Sequence, residues 1–163
     1  MKKKKTNALR ILEQHHIFYE IQEYEYDENH LSGEHIVHQV DLDAQNIYKT
    51  LVLKGTKDYL VCCIPVNKEI DLKKLAKATN HKSVEMLHQK DLLPLTGYIR
   101  GGCSPIGMKK HFPTYFQEDI MLCEKVAVSA GQRGMQVILK PQDLIDIVQG
   151  QCVDVIKEGK ENG

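Results

Sequence analysis

The sequence predicts a fold of the mixed α/β (α+β) class, with a mixed, largely antiparallel, β-barrel-like sheet surrounded by helices. Two strand-like segments, residues 47–53 and 59–65, are joined by turn-forming residues 54–58, which is typical of a β-hairpin. Helical segments are interspersed with the strands, but they lack the regular alternation of a doubly wound parallel sheet. The length of 163 residues suits one domain with a substantial core.

The first part of the chain begins with a helix signal. Thr6 is a typical N-cap residue, and apolar residues follow it at helical spacing. A partly alternating segment then predicts a strand, and Ser32 can cap a short helix. The predicted elements are a helix at 6–16, a strand at 18–26, a turn at 27–29, a helix at 31–40 and a loop at 41–46.

The remaining elements are predicted from caps and turn residues. Asp71 caps a helix that runs to residue 78, with Leu72, Leu75 and Ala76 expected to face inward. Pro141 suits the first turn of a helix, and Gly150 ends it. The predicted elements are strands at 84–87, 126–129, 136–139 and 153–156, helices at 88–93 and 141–148, and a connector at 130–134 between paired strands.

Charge and cysteine content limit the possible functions. Lys and Arg number 22, as do Asp and Glu, so overall charge does not favour nucleic acid. No apolar run approaches the ~18 residues of a membrane span, and the lysine-rich start is not a signal peptide. The 5 cysteines show no CxxC spacing, which indicates a reducing, cytoplasmic compartment. We expect a basic tail at 1–5, a single domain at 6–157 and a tail at 158–163.

The most unusual segment is the glycine-rich loop at residues 99–107. Three glycines, a serine and a proline occur there, so the main chain can approach a small molecule closely. A purely structural turn is an equal alternative. The apolar residues before the loop suggest that a strand leads into it. Cys103 is the best candidate for a reactive thiol, although a small loop side chain explains it more simply.

Lys49 lies inside an otherwise apolar strand. Strand alternation places it on one face with Ile47, Leu51 and Leu53. Such a lysine either extends its amine to the sheet edge or meets a partner in a cleft. In a cleft the ammonium group could donate to an anionic or carbonyl oxygen, or the amine could become a modified nucleophile.

Motifs for metals and cofactors are weak. His30, His35 and His38 lie close in sequence, but they do not form the regular ligand pattern of a zinc site. Neither a GxxxxGK[ST] nor a GxGxxG motif occurs, and no nucleophile elbow supports a Ser-His-Asp triad. We therefore expect no metal and no cofactor.

Four segments together resemble a known family: YKTL at 48–51, GYIRGGCSPIG at 97–107, VSAGQRG at 128–134 and PQDL at 141–144. In their order and spacing they are similar to the YbaK/EbsC-type Cys-tRNA(Pro) deacylases, relatives of the editing domain of bacterial prolyl-tRNA synthetase. The resemblance extends over about residues 6–156 and implies the editing-domain fold. It also implies a cofactor-free enzyme that removes cysteine from mischarged Cys-tRNA(Pro), with prolyl-tRNA synthetase as partner.

The resemblance also implies roles for individual residues. Lys49 matches the family lysine most closely tied to activity, and Gly101 and Gly102 match the loop whose main chain faces the substrate. The polar positions around the same cavity match Tyr24, Thr50, Ser129 and Asp143. The family is thought to lack a general base, so that the substrate's own thiol attacks its ester carbonyl while the protein aligns the ester.

The sequence departs from the family pattern at two places, and two alternative functions stay open. Cys103 stands where relatives often have an aliphatic residue, and residues 130–134 lack one positive charge that relatives often carry. A deacylase for another small amino acid such as alanine is one alternative. A non-catalytic module that binds tRNA or a synthetase is the other.

Overall fold

The structure is a computed structural model that describes residues 5–25 and 42–158. The turn predicted at 27–29 and the helix predicted at 31–40 lie outside these ranges. The described helices are α1 (Asn7–Gln14), α2 (Leu72–Ala78), α3 (Gln89–Thr96) and α4 (Pro141–Ile147). The described strands are β1 (Glu20–Glu23), β2 (Tyr48–Lys54), β3 (Tyr59–Pro65), β4 (Glu85–Met86), β5 (Thr114–Gln117), β6 (Val126–Ser129), β7 (Met135–Leu139) and β8 (Gln151–Val153).

The predicted helix caps at Thr6 and Asp71 are confirmed. The Thr6 hydroxyl accepts the N–H of Leu9 at 3.2 Å and donates to the carbonyl of Ala130 at 2.5 Å, which ties α1 to the β6–β7 turn. Asp71 accepts main-chain N–H groups at the start of α2. Of the residues expected to face inward there, Leu75 and Ala76 are buried, whereas Leu72 lies at the exposed start of the helix.

The strands form two sheets. One has the order β4-β2-β3-β5-β8, with antiparallel pairs β2–β3 and β2–β4 and parallel pairs β3–β5 and β5–β8. The other, β1-β7-β6, is antiparallel. The two sheets meet at a parallel bridge between Ile47 and Ala127. The mixed, largely antiparallel fold is thus confirmed, while barrel-like closure stays a prediction.

The side chains of β2 and β3 alternate between two separate apolar clusters. Tyr48 and Val52 lie in the main cluster, which includes residues of α1, and Leu53 lies in a second cluster, which includes residues of α2. Cys63 lies in the main cluster and Cys62 in the α2 cluster, because adjacent residues of a strand point to opposite faces. β2 therefore has a core face and an α2 face, and Lys49 lies on the α2 side.

The segment before the glycine-rich loop differs from the prediction. Helix α3, not a strand, leads into the loop, and it ends at Gly97, whose φ of 87° is left-handed. The Thr96 hydroxyl donates to the carbonyl of Leu92 at 2.8 Å, one helical turn back. A glycine at this position ends a helix without steric strain, and the short apolar run could not distinguish helix from strand.

Two strands in the second half also differ from the sequence expectation. β5 was not predicted from the sequence. It pairs in parallel with both of its neighbours and buries the polar residues Thr114 and Gln117. Its sequence therefore lacks the alternation of apolar and polar residues that identifies a half-exposed strand. The last strand is β8, earlier than the predicted 153–156, and Ile156 instead forms an isolated bridge with Ile70. Among the described helices, none has the length and apolar character needed to cross a membrane.

Candidate active site

The glycine-rich loop is seated on the β6–β7 turn. A Cβ atom at Gly102 would lie 2.9 Å from the main-chain nitrogen of Arg133, so only glycine allows this approach. The Arg133 guanidinium donates to the carbonyl of Arg100 at 2.9 Å, which fixes the loop from the same side. Gly101 has a φ of 87°, again a conformation that favours glycine. Bare main chain is therefore presented at this position for a steric reason.

Tyr24 contacts the same β6–β7 turn. Its N–H donates to the carbonyl of Gly134 at 2.9 Å, and a Cβ atom at Gly134 would lie 2.9 Å from the Tyr24 carbonyl. Tyr24 also packs against the cluster that contains Ile47 and Ala127. The structure thus brings Tyr24 and the glycine-rich loop to one turn.

A row of polar side chains runs across the sheets on the Ile47 face. Lys49 and Ser129 each lie two residues beyond the Ile47–Ala127 bridge, on the face that carries the bridge residues. Ser129 pairs with Gln136, and Gln136 pairs with Gln22. The predicted site residues Lys49 and Ser129 therefore lie in line with Gln136 and Gln22.

Gln136 was missed by the sequence analysis. It is 3% exposed, and its Oε1 atom is buried without a hydrogen-bond partner. A buried, unsatisfied acceptor is costly and rare in folded proteins, so this one calls for an explanation. The signal in the sequence was a lone amide inside the apolar strand β7.

Lys49 is half-buried in β2. Burial lowers the pKa of its amine, and the carboxylate of Glu69 acts in the opposite direction. The ammonium group is therefore partly desolvated, which strengthens any interaction with a developing negative charge. A lysine that extends to the sheet edge and one that meets a partner in a cleft are both partly buried, so the place of Lys49 in the active site stays a prediction.

A cavity of about 280 Å³ opens beside the glycine-rich loop. Its lining includes Gly101 and Thr50 together with Leu51, the two residues that follow Lys49 in β2. Lys49 itself is not part of this lining. The loop and β2 therefore meet one residue from Lys49, whose side chain lies on the other face of the strand from that of Thr50. The remaining lining residues are Val52, Met86, Leu87, Gln89, Leu92, Arg100 and Cys103.

Asp143 is the one predicted site residue on a helix. It is in the first turn of α4, where a carboxylate interacts favourably with the helix dipole. The next two residues of that helix, Leu144 and Ile145, pack into the main cluster. A role for Asp143 at the site stays a prediction from the resemblance.

Cys103 lines the cavity but is poorly suited to nucleophilic chemistry. Burial raises the pKa of its thiol to about 12, with a small opposing effect from the Thr96 hydroxyl. We expect Cys103→Ala to retain deacylation within about twofold at neutral pH, since less than about 1 in 1,000 thiols is ionised there. Steady-state kinetics check this, and a loss well beyond twofold in Cys103→Ala would contradict it.

Among residues 5–25 and 42–158 no group of three or more His, Cys, Asp or Glu side chains could hold a metal ion. His30, His35 and His38 lie outside these ranges.

Comparison with known families identifies the class. Residues 28–147 match the aminoacyl-tRNA editing domain, and the chain belongs to this family. A protein from Enterococcus faecalis (strain ATCC 700802 / V583), named "Putative Cys-tRNA(Pro)/Cys-tRNA(Cys) deacylase EbsC", is 50% identical over 152 residues, which is 93% of each chain.

Solved structures confirm the fold. A crystal structure described as "a putative trans-editing enzyme for prolyl tRNA synthetase" matches with a TM-score of 0.80 and 20% identity, over 96% of this chain and 100% of that one. A crystal structure of a hypothetical protein matches with a TM-score of 0.84 and 14% identity, over 93% and 100%. At these identities the likeness concerns the fold alone.

Proposed function

We propose that this protein is a trans-acting editing enzyme that hydrolyses Cys-tRNA(Pro), with Cys-tRNA(Cys) as a second substrate. The single observation that carries the proposal is the 50% identity over 93% of the chain to the relative named for these two substrates. An editing activity is needed because cysteine and proline are similar in size. A synthetase pocket for one cannot exclude the other by a large factor, so a second site must remove the error.

The geometry supports ester alignment and charge stabilisation. The N–H of Gly102 donates to the carbonyl of Ile99 at 2.9 Å, so it closes the turn and is not the donor to substrate. The N–H of Gly101, beside the cavity, and the ammonium group of Lys49 are the donors we assign to the developing oxyanion. Tyr24, Thr50 and Ser129 position the aminoacyl group around them.

We assign the nucleophile to the substrate. The thiol sulfur of the cysteinyl group attacks its own ester carbonyl and forms a C–S bond. The C–O bond to the ribose then breaks, and the thiol proton ends on the released ribose hydroxyl. Water opens the resulting thiolactone to give cysteine. The protein contributes orientation and oxyanion stabilisation, which are each able to supply several kcal/mol.

A substrate panel tests this proposal. We expect purified protein to deacylate Cys-tRNA(Pro) at least about 100-fold faster than Ser-tRNA(Pro) or Ala-tRNA(Pro), because only cysteine carries the attacking thiol. The measurement is the initial rate of ester loss above the spontaneous rate. Faster cleavage of Ala-tRNA(Pro) would indicate the alanine deacylase alternative. Binding without cleavage of any ester would indicate a non-catalytic module.

We further propose that prolyl-tRNA synthetase supplies selectivity for the tRNA. The formal net charge is zero, so few phosphate contacts are expected and binding to free tRNA should be weak. We expect affinity for tRNA(Pro) alone to fall as salt rises and to differ by less than about threefold from that for tRNA(Cys). Filter binding with and without the synthetase measures this. Tight binding specific to tRNA(Pro) by the protein alone would contradict it.

A further inference from the structure

We propose that the cavity between β2 and the glycine-rich loop binds the adenine ring of the 3′-terminal adenosine of tRNA. The inference rests on the proposed function and adds a subsite to it. The amino acid then lies on the Lys49 side of Gly101, and the base lies on the other side.

The cavity faces the hydrogen-bonding edge of β2. The N–H of Val66 donates to the Ile47 carbonyl at 2.8 Å, so odd-numbered residues of β2 direct their main chain to β3. Even-numbered residues direct theirs to the opposite edge, where the Val52 carbonyl accepts the N–H of Leu87 at 3.1 Å. The N–H and carbonyl of Thr50 therefore point toward the cavity.

The lining residues agree with this orientation. Successive side chains of a strand alternate between its faces, yet Thr50, Leu51 and Val52 all line the cavity. Only a cavity that lies against the edge of the strand contacts three consecutive residues in this way. The strand pairings described at this edge involve Ile47, Leu53 and Lys54 but not Thr50. A strand edge offers a donor and an acceptor in a fixed arrangement, which suits the hydrogen-bonding edge of a nucleobase.

The walls favour a flat neutral ring over an amino acid. Met86, Leu87 and Leu92 supply apolar surface, and none of the described lining residues is acidic. An α-ammonium group would therefore lack a counter-charge here. The volume of about 280 Å³ lies near the lower limit of small-molecule sites and is sufficient for a base.

An arginine lines the cavity. The Arg100 guanidinium donates to the side-chain oxygen of Gln89, another lining residue, at 3.2 Å. Arginine side chains stack on bases. Because Gly101 follows Arg100 directly, the ester between base and amino acid would lie over the bare main chain of Gly101.

A pair of neighbouring variants tests the subsite. Leu92→Trp fills the cavity, whereas Leu93→Trp changes the adjacent exposed residue of α3. We expect Leu92→Trp to lower kcat/KM for Cys-tRNA(Pro) by about tenfold or more, mainly through KM, and Leu93→Trp to have little effect. Hydrolysis of cysteine methyl ester, which has no base, should be unchanged in both. A parallel loss with the methyl ester, or no loss with either substrate, would overturn the inference.

Binding of adenosine monophosphate to the wild-type protein provides a readout independent of catalysis and of variant folding. With methyl-labelled methionine, titration should shift the Met86 methyl resonance, with the exposed Met121 as internal control. No shift at Met86 would overturn the subsite. Absence of any Cys-tRNA cleavage together with a Met86 shift would instead reject the proposed function while the subsite stands.

Discussion

Substituting Lys49 with methionine is expected to lower kcat for Cys-tRNA(Pro) by about 100-fold or more, while the protein remains folded. Removal of one oxyanion donor in a preorganised site typically costs about 10²–10³ in kcat. Methionine retains most of the aliphatic length of lysine, so packing in β2 is preserved. Single-turnover deacylation measures the effect. The matched control is Lys54→Met, which removes an exposed amine at the end of the same strand and should leave the rate unchanged.

The same variant should be at least as stable as the wild type. Burial lowers the pKa of Lys49 in the folded state, so the folded protein binds this proton less tightly than the unfolded chain. The contribution of Lys49 to the free energy of unfolding of the wild type should therefore increase as the pH rises from the pKa of Lys49 in the folded protein toward about 10.4, its pKa in the unfolded chain. Lys49→Met should lack this increase and show an equal or higher Tm at neutral pH. A marked fall in Tm would show that the ammonium group stabilises the fold, and full activity would remove Lys49 from the site.

Substituting Gly102 with alanine is expected to lower both stability and activity. The new Cβ atom would lie 2.9 Å from the main-chain nitrogen of Arg133 and 3.0 Å from the carbonyl carbon of Gln132. Both contacts are with main chain, so the β6–β7 turn and the loop must separate. We expect a loss of about 1–3 kcal/mol in the free energy of unfolding and at least about a tenfold loss in kcat/KM. Thermal melting and steady-state kinetics measure the two effects.

The control for Gly102 is Gly97→Ala. Gly97 is left-handed at the end of α3, so alanine there costs about 1 kcal/mol, but a Cβ atom would first contact the flexible side chain of Lys109. Activity per folded molecule should be retained in that variant. Equal activity in Gly102→Ala and wild type would show that the contact between loop and turn does not position the site.

Local signals predicted the parts of the fold that depend on neighbouring residues. The hairpin of β2 and β3, the β6–β7 pair and the caps at Thr6 and Asp71 follow from alternation, turn composition and hydrogen-bonding side chains. β5 could not be predicted in this way. Its parallel pairing with β3 and β8 joins segments distant in sequence, and burial of its polar residues removes the alternation.

The site shows the same division between local and distant information. Strand periodicity placed Lys49 on one face and left two outcomes open, and a half-buried side chain fits both of them. Tyr24 and Gly102 were assigned from the family resemblance, and their common contact with the β6–β7 turn depends on tertiary packing. Gln136 was missed because a single amide in an apolar strand has no local meaning until its cross-strand partners, Ser129 and Gln22, are known.

A crystal structure of the protein with 3′-cysteinylamino-3′-deoxyadenosine, an amide analogue of the ester, locates the reacting carbonyl directly. The carbonyl oxygen is expected about 3 Å from the Lys49 amine or the Gly101 N–H, with the thiol on the Lys49 side. A carbonyl bound elsewhere, with neither group in contact, would contradict the assigned active site.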